Sequence, residues 1–239
     1  MSAFLCGGLV TDPISKHALS ALRALNGTDL ANAIECFDRR LRNEGFADAS
    51  IRCLLADSRP SIGYAVTARI RCSSPPPVGH RYHDRTDWWN YIVTVPTPRF
   101  VVVQDIDDRP GFGAFVGDVH ANVLRALGCV AYATNGSVRD VDAIGMIPFG
   151  LFATAIGISH VFCHIVDFGE PVEVGGLTVA SGDLLFGDRN GVQSVPLDLV
   201  ERVPAVAANL KAREQTVIRF CQSQEFSLDK LRHLVRSLG

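Results

Sequence analysis

The sequence predicts a single α/β domain over residues 1–239, with helical extensions at both ends. Short apolar runs rich in β-branched residues flank a segment with helical periodicity near the middle of the chain, and further apolar runs separated by glycine turns follow Pro148. Both ends of the chain repeat apolar residues at helical spacing. With 239 residues and 47% hydrophobic content, the chain is long enough to bury a sizeable core.

The composition argues against nucleic-acid and membrane partners. The net charge is -2 and the pI is near 6.4, so no basic field is present to attract phosphates or anionic lipids. The first ten residues lack the basic start and apolar core of a signal peptide, and no apolar run is long enough to span a bilayer. We therefore expect a cytoplasmic protein.

The cysteines point to the same compartment. There are seven of them, scattered along the chain without a CxxC pair that would hold zinc or exchange disulfides. This pattern favours buried thiols in a reducing compartment.

The first third of the chain is predicted to be helical and to lead into a strand. Thr28 is expected to cap a helix whose Leu30, Ala33 and Ile34 lie on one face. A strand is expected over residues 64–69, and the proline-rich residues 73–79 then break regular structure.

The loop that follows carries His80 and His83, whose HxxH spacing invites a metal interpretation. On a proline-rich loop no helix places both imidazoles on one face, so a solvated or subunit-contacting loop is preferred. Trp88 and Trp89 would then anchor a neighbouring subunit, and Asp84 would be solvated.

Two buried strands and a helix are predicted in the middle of the chain. Residues 100–104 and 129–134 read as strands, a helix runs from Asp118 to Leu127, and Gly128 ends it. Asn135 and Gly136 form the next turn.

The second half is predicted to form a compact β-sandwich or barrel followed by helices. The expected strands, separated by glycine turns, are residues 161–166, 171–174, 177–180, 184–186 and 192–195. A helix is expected from Asp198 to about Phe220, and Ser227 is expected to cap a last helix carrying Leu228, Leu231, Leu234 and Val235.

Three glycines precede the central helix in a GxGxxxG pattern. A dinucleotide-binding turn needs its first glycine at the strand end, but six residues separate the strand from Gly111. The pattern therefore argues against a nucleotide site. Gly113 continues the pattern, and Gly117 would instead let amide groups at the helix start approach a small carboxylate closely.

The helix and the strand after it return the chain to an adjacent arginine and aspartate. Asp118 is followed by twenty residues and then by Arg139 and Asp140, so we expect these three side chains beside the same end of the sheet. Taken alone, Asp118 is more often an acid at a helix start, and an adjacent pair such as Arg139 and Asp140 is more often solvated on the surface.

This arrangement resembles the core motif of the RraA-like family, which includes 4-hydroxy-4-methyl-2-oxoglutarate/4-carboxy-4-hydroxy-2-oxoadipate aldolases and the regulator of ribonuclease activity A. The resemblance is carried by residues 117–144, GDVHANVLRALGCVAYATNGSVRDVDAI, by GYAVTARI upstream and by GEPVEVGGLTVASGDLLFGDRNGVQSVP downstream. It covers residues 22–196 and leaves residues 197–239 as a C-terminal helical extension.

The resemblance implies a β/β/α sandwich of the swivelling-domain type, assembled as a homotrimer or homohexamer with sites between subunits. It implies that Asp140 binds Mg²⁺ or Mn²⁺, that Arg139 binds the substrate, and that Asp118 orients a water on the metal. Backbone groups of Gly117, Asp118 and Val119 would hold the substrate carboxylate. Mg²⁺ independently favours one or two carboxylates with several waters retained.

The chain departs from the aldolases where they carry a lysine after a Ser-Pro-x-Gly-Pro segment, because residues 159–164 here read SHVFCH. His160 and His164 are candidate replacements for that lysine, or structural histidines. Glu214 is the candidate for the acid that a neighbouring aldolase subunit supplies.

The resemblance therefore implies a metal-dependent lyase that cleaves a 4-hydroxy-2-oxo acid to pyruvate, with oxaloacetate decarboxylation as a related activity. The alternative is a non-catalytic, protein-binding regulator of ribonuclease activity. Because Asp118, Arg139 and Asp140 are all present, the enzyme is favoured.

Overall fold

The computed structural model describes residues 14–55, 59–77 and 85–238, and its strands belong to three sheets. The strands are β1 (Arg52–Cys53), β2 (Ser61–Arg71), β3 (Arg99–Asp105), β4 (Ala114–Val116), β5 (Cys129–Thr134), β6 (Ser137–Val138), β7 (Gly150–Ala153), β8 (Ala155–Ile156), β9 (His164–Phe168), β10 (Val172–Val174), β11 (Leu177–Val179), β12 (Leu184–Asp188) and β13 (Gly191–Val195).

Helices occupy both ends of the chain and three central positions. They are α1 (Lys16–Arg23), α2 (Gly27–Glu35), α3 (Arg85–Ile92), α4 (Asp118–Ala126), α5 (Val141–Gly145), α6 (Val203–Cys221) and α7 (Leu228–Leu238), with a 3-10 turn at Leu197–Leu199 before α6. Within the described ranges, no helix is both long enough and apolar enough to cross a membrane.

The largest sheet has eight strands, in the order β1-β7-β5-β3-β2-β12-β13, with β9 also paired to β2. Its centre is parallel, because β2, β3, β5 and β7 pair in the same direction, and its margins are antiparallel. Apolar side chains cover both faces, as expected for parallel strands that read as continuous apolar runs. The predicted α/β sandwich is confirmed.

A smaller parallel sheet of β4, β6 and β8 lies beside the large one and positions the site. Val116 of β4 is paired with Val138 of β6, and Val138 with Ile156 of β8. The residues that follow these strands therefore meet at one edge.

Several predicted elements are confirmed with small changes at their ends. The strand expected at residues 64–69 is the longer β2, the strand at 129–134 is β5, and the central helix begins at Asp118 as predicted. Leu30, Ala33 and Ile34 are buried together on α2. The N-cap of α2 is Asn26, not Thr28, because the Asn26 side chain accepts a hydrogen bond from the Asp29 amide.

The tryptophans do not lie on a solvated or subunit-contacting loop as expected, and Trp88 does not anchor a neighbouring subunit. Residues 85–92 form α3, and Trp88 is fully buried against the rings of Phe115 and His120. Trp89 is half-buried against the same core. His80, His83 and Asp84 lie outside the described residues.

The strands of the second half do not form a separate sandwich or barrel. β7, β9, β12 and β13 join the large sheet, and β10 and β11 pair as a hairpin. The strand expected at residues 161–166 begins later, at His164, because Val161 has a left-handed φ of 42° within a turn. The helix expected from Asp198 begins at Val203, where Pro204 suits the first turn.

The expectation of seven unpaired thiols is also wrong. Cys72 follows β2 and Cys163 precedes β9, so the antiparallel pairing of Arg71 with His164 brings the two sulfurs into a disulfide. Cys36 and Cys221 are free and exposed. A sequence separation of 91 residues gave no local signal for this bond.

Candidate functional site

The carboxyl ends of β4 and β6 bring Asp118, Arg139 and Asp140 together. Gly117 and Asp118 follow β4, while Arg139 and Asp140 follow β6, and the Arg139 amide donates to the Val116 carbonyl at 3.0 Å. The parallel pairing thus places the two halves of the motif at one edge of the small sheet.

The Asp140 carboxylate accepts one backbone hydrogen bond and forms an ion pair with one guanidinium. The Asp118 amide donates to Asp140 Oδ2 at 3.3 Å, and the Arg139 Nε lies 3.4 Å from the same oxygen. Asp140 itself has a left-handed φ of 57° at the N-cap position of α5, a conformation that turns the chain sharply after β6, and its side chain makes no capping hydrogen bond. Its side chain is 40% exposed, and its Oδ1 accepts no hydrogen bond from the described residues.

Gly117 makes this approach possible. A Cβ atom at Gly117 would lie 2.4 Å from Asp140 Oδ2 and 2.9 Å from Arg139 Nε. Both distances are too short for a side chain, so the glycine gives the carboxylate and the guanidinium room against the chain. The strand β4 lies between Gly113 and Gly117, and the three glycines therefore do not form one nucleotide-binding turn.

The first amides of α4 already donate to protein carboxylates. The Asp118 amide is bonded to Asp140, and the Val119 amide donates to Asp118 Oδ1 at 2.7 Å. A substrate carboxylate at this helix start would therefore replace a protein oxygen. The Val119 side chain is 74% exposed beside the site.

A buried histidine behind the site was not identified from the sequence. His120 is 5% exposed and packs edge-on against Phe115 and Trp88. Burial, together with the nearby Arg85 charge, lowers the pKa of His120 to about 4, against a weaker opposing contact with the Phe115 carbonyl. His120 is therefore a neutral packing residue at pH 7. Its position among apolar neighbours on the predicted helix was the sequence feature that could have indicated its burial.

The two other candidate histidines lie on the segment after β8. His160 is exposed and its Nδ1 is 2.9 Å from the Val161 carbonyl oxygen, while His164 is buried at the start of β9 with Nδ1 2.8 Å from the Phe162 oxygen. Glu214 is exposed on α6, which packs against α2. None of these three has a described contact with Asp118, Arg139 or Asp140, so their roles stay predictions.

The donor set at the site fits a divalent cation that prefers oxygen. Asp140 offers one free carboxylate oxygen on an exposed edge, and the neighbouring Asp118 offers a second carboxylate for a water. Mg²⁺ and Mn²⁺ accept few carboxylates together with several waters.

A second group of possible ligands lies elsewhere, where Cys72, Asp105 and Asp107 place one ligand atom each within 4.8 Å of one another. Asp105 accepts from the amides of Asp107 and Gly111, and its pKa is raised by burial. Burial acts to raise the pKa of Asp107, but hydrogen bonds from Cys72 and Ser73 and the charge of Arg71 together lower it.

Through these hydrogen bonds, the two carboxylates connect loop backbone to the ends of strands. Cys72 is in the disulfide and offers no thiolate, and Asp107 Oδ1, which lacks a hydrogen bond, lies 3.7 Å from Arg71 Nη1. The cluster is therefore a weaker metal candidate than the Asp140 edge.

The fold and the edge site together define an α/β protein with an acidic, arginine-flanked site at the ends of parallel strands. Residues 28–193 match the model of the RraA-like family, described as Aldolase/RraA. The match covers most of the chain, and the chain belongs to this family. The resemblance inferred from the motif is confirmed.

One curated relative is the "Putative 4-hydroxy-4-methyl-2-oxoglutarate aldolase" of Halalkalibacterium halodurans, 29% identical over 126 residues. The match covers 50% of this chain and 60% of that protein, so it spans less than two thirds of the relative's length.

Two solved structures have the same fold. An uncharacterized protein from Pseudomonas syringae superposes with a TM-score of 0.72 at 20% identity, covering 96% of this chain and 99% of that one. Streptomyces coelicolor RraAS2, described as an unusual member of the RNase ES inhibitor RraA family, gives 0.66 at 16% identity, covering 86% and 97%. At these identities the likeness concerns the fold alone.

Proposed function

We propose that this protein is a divalent-metal-dependent lyase of the aldolase type, which cleaves a 4-hydroxy-2-oxo acid to pyruvate and also decarboxylates oxaloacetate. The observation that carries the proposal is the meeting of Asp118, Arg139 and Asp140 at one strand edge, where the half-exposed Asp140 carboxylate accepts from the Asp118 amide and pairs with Arg139 through Oδ2. Membership of a family that includes aldolases supports it.

Asp140 would hold the cation, with waters completing its coordination. When bound, a divalent cation supplies Lewis-acid stabilisation of the negative charge that develops on the substrate's C2 carbonyl oxygen. Arg139 is 37% exposed beside Asp140, so its guanidinium can bind substrate oxygens in a bidentate manner.

Asp118 is placed to handle the proton. Its Oδ1 caps its own helix through the Val119 amide, and its other oxygen can orient a water that accepts the C4 hydroxyl proton. The C3–C4 bond then breaks, the C4 hydroxyl becomes a carbonyl, and a proton is returned to C3 to give pyruvate. Decarboxylation of oxaloacetate requires the same development of charge on the C2 carbonyl oxygen.

The alternative, a regulator that only binds a ribonuclease, shares the fold. A protein of that kind does not need an open carboxylate beside an arginine at a strand edge. The retention of all three side chains therefore favours the enzyme.

Metal titration of Asp140→Ala tests the proposal, with Asp142→Ala as the matched control because Asp142 is an exposed acid on the same short helix. We expect Asp140→Ala to lose Mg²⁺ or Mn²⁺ binding by calorimetry while the melting temperature changes little, and Asp142→Ala to bind as the wild type does. Unchanged metal affinity in folded Asp140→Ala would contradict the assignment and point to the Asp105–Asp107 cluster.

A further inference from the structure

A second guanidinium lies beside the site, on Arg85 at the start of α3. Its Cζ is 5.1 Å from the centroid of the Phe115 ring, and α3 is held there by Trp88, which packs on Phe115 and His120. Arg85 was part of the segment predicted to be a loop, so no sequence pattern connected it with the motif.

Contacts place Arg85 and Arg139 at the same junction of β4 and α4. Arg85 covers the Phe115 ring, which also packs edge-on against His120 in the first turn of α4. Arg139 Nε is 2.9 Å from the Cβ position of Gly117, the residue just before α4. Both guanidinium groups therefore lie near the start of α4, where Asp118 and Asp140 meet.

The electrostatics agree with this placement. The pKa of Arg85 is lowered first by burial and next by the positive charge of Arg139. Arg139 pairs with Asp140, but no acidic side chain within the described ranges forms an ion pair with Arg85. An arginine that pairs with no acid among the described residues, close to a second arginine, is suited to a ligand that brings its own negative charge.

We propose that Arg85 is a specificity-determining residue that binds the distal carboxylate of the substrate, while Arg139 and Asp140 serve its 2-oxo acid end. This inference rests on the proposed function. The negative charges of Asp118 and Asp140 equal the positive charges of Arg85 and Arg139, so binding of a divalent cation would give the site the net positive charge of that cation. A dicarboxylate ligand would neutralise this net charge, whereas a monocarboxylate ligand of the same length would neutralise half of it.

A pair of unreactive ligands tests the role of Arg85 separately from catalysis. 2-Oxoglutarate and 2-oxopentanoate have the same five-carbon chain and the same 2-oxo acid end, and differ in the distal carboxylate. Their affinities are measured by calorimetry with Mg²⁺ present, for the wild type, Arg85→Gln and Arg125→Gln. Arg125 is the control because it is an exposed arginine at the other end of α4, and its replacement removes the same charge.

We expect the wild type to bind 2-oxoglutarate more tightly than 2-oxopentanoate. Arg85→Gln should weaken 2-oxoglutarate about tenfold or more, the scale of one lost charge-assisted contact, and change 2-oxopentanoate by less than about twofold on the same reasoning. Arg125→Gln should retain the wild-type preference.

Three results would overturn the inference. If the wild type binds both ligands equally, or if Arg85→Gln weakens both alike, Arg85 does not bind the distal carboxylate, and the proposed function is unaffected. If the wild type binds neither ligand in the presence of Mg²⁺, the proposed function and the role of Arg85 both fail.

Discussion

At the scale of single residues, one backbone amide and one guanidinium position the Asp140 carboxylate. Asp140 Oδ2 accepts from the Asp118 amide and lies 3.4 Å from Arg139 Nε, and both side chains fit there because residue 117 is glycine. The spacing of the motif was visible in the sequence. The contact with the Asp118 amide was not, since it depends on how β4 and β6 pair.

His120 should make the stability of the protein depend on pH. Its pKa falls from 6.5 to about 4 on folding because burial disfavours the imidazolium, so the unfolded chain binds the proton more readily. The contribution to stability is complete above pH 6.5 and is lost as the pH falls towards 4. The loss amounts to roughly 3 kcal/mol at most.

Chemical denaturation of His120→Gln between pH 7 and pH 4 measures this effect. The variant should have a flatter dependence of unfolding free energy on pH than the wild type over that interval. His17→Gln is the control, since His17 is exposed on α1, and it should follow the wild-type curve. Parallel curves for all three proteins would show that His120 is not the titrating group.

At the scale of elements, the spacing of apolar residues predicted the regular helices and strands but not the segments whose backbone geometry is unusual. β5 and the start of α4 agree with the prediction because their apolar spacing is uninterrupted. α3 was missed because its eight residues follow a proline-rich loop and begin with polar residues, so its buried Trp88 gave no helical pattern. The left-handed φ of Val161 likewise has no signal in a β-branched residue.

The junction of β4 and α4 should not tolerate a side chain at Gly117. The backbone there is extended, with φ of -128°, so alanine is allowed conformationally, but its Cβ would displace Asp140 Oδ2 and Arg139. We expect Gly117→Ala to lose metal affinity and activity by about tenfold or more, because a small misplacement of reacting groups is costly, with little change in melting temperature.

Gly145→Ala is the matched control for this substitution. Gly145 lies in α5 with its nearest neighbour for a Cβ at 3.5 Å, which is ordinary contact. This variant should keep its metal affinity. Normal metal binding and turnover in Gly117→Ala would mean that the close approach of Gly117 to Asp140 has no functional importance.

At the scale of the whole molecule, the sequence predicted the α/β sandwich and the family, but not which surfaces remain uncovered. Ile156 is 64% exposed and Ile158 is 97% exposed on the edge strand β8 and just after it, on the sheet that carries the site. The buried Trp88 no longer supports a subunit contact, whereas this apolar edge does.

We propose that the protein is a homotrimer or homohexamer of 25.9 kDa chains that meet at this edge. Ile158→Asp should lower the mass measured by light scattering at micromolar concentration, and should reduce turnover if each site needs two chains. Leu41→Asp, which changes a residue that is 65% exposed in a turn, is the control and should retain the wild-type mass. A fully active wild-type monomer would contradict the proposed assembly.

The most direct test of the central claim is pyruvate release, followed with a coupled pyruvate-reducing enzyme over a panel of 4-hydroxy-2-oxo acids and oxaloacetate. Each substrate is assayed with Mg²⁺ or Mn²⁺ and after chelation, for the wild type, Asp140→Ala and Asp142→Ala. We expect turnover by the wild type and Asp142→Ala that requires the metal, and none by Asp140→Ala. Equal pyruvate release from chelated and metal-loaded protein, or undiminished release by Asp140→Ala, would contradict the account.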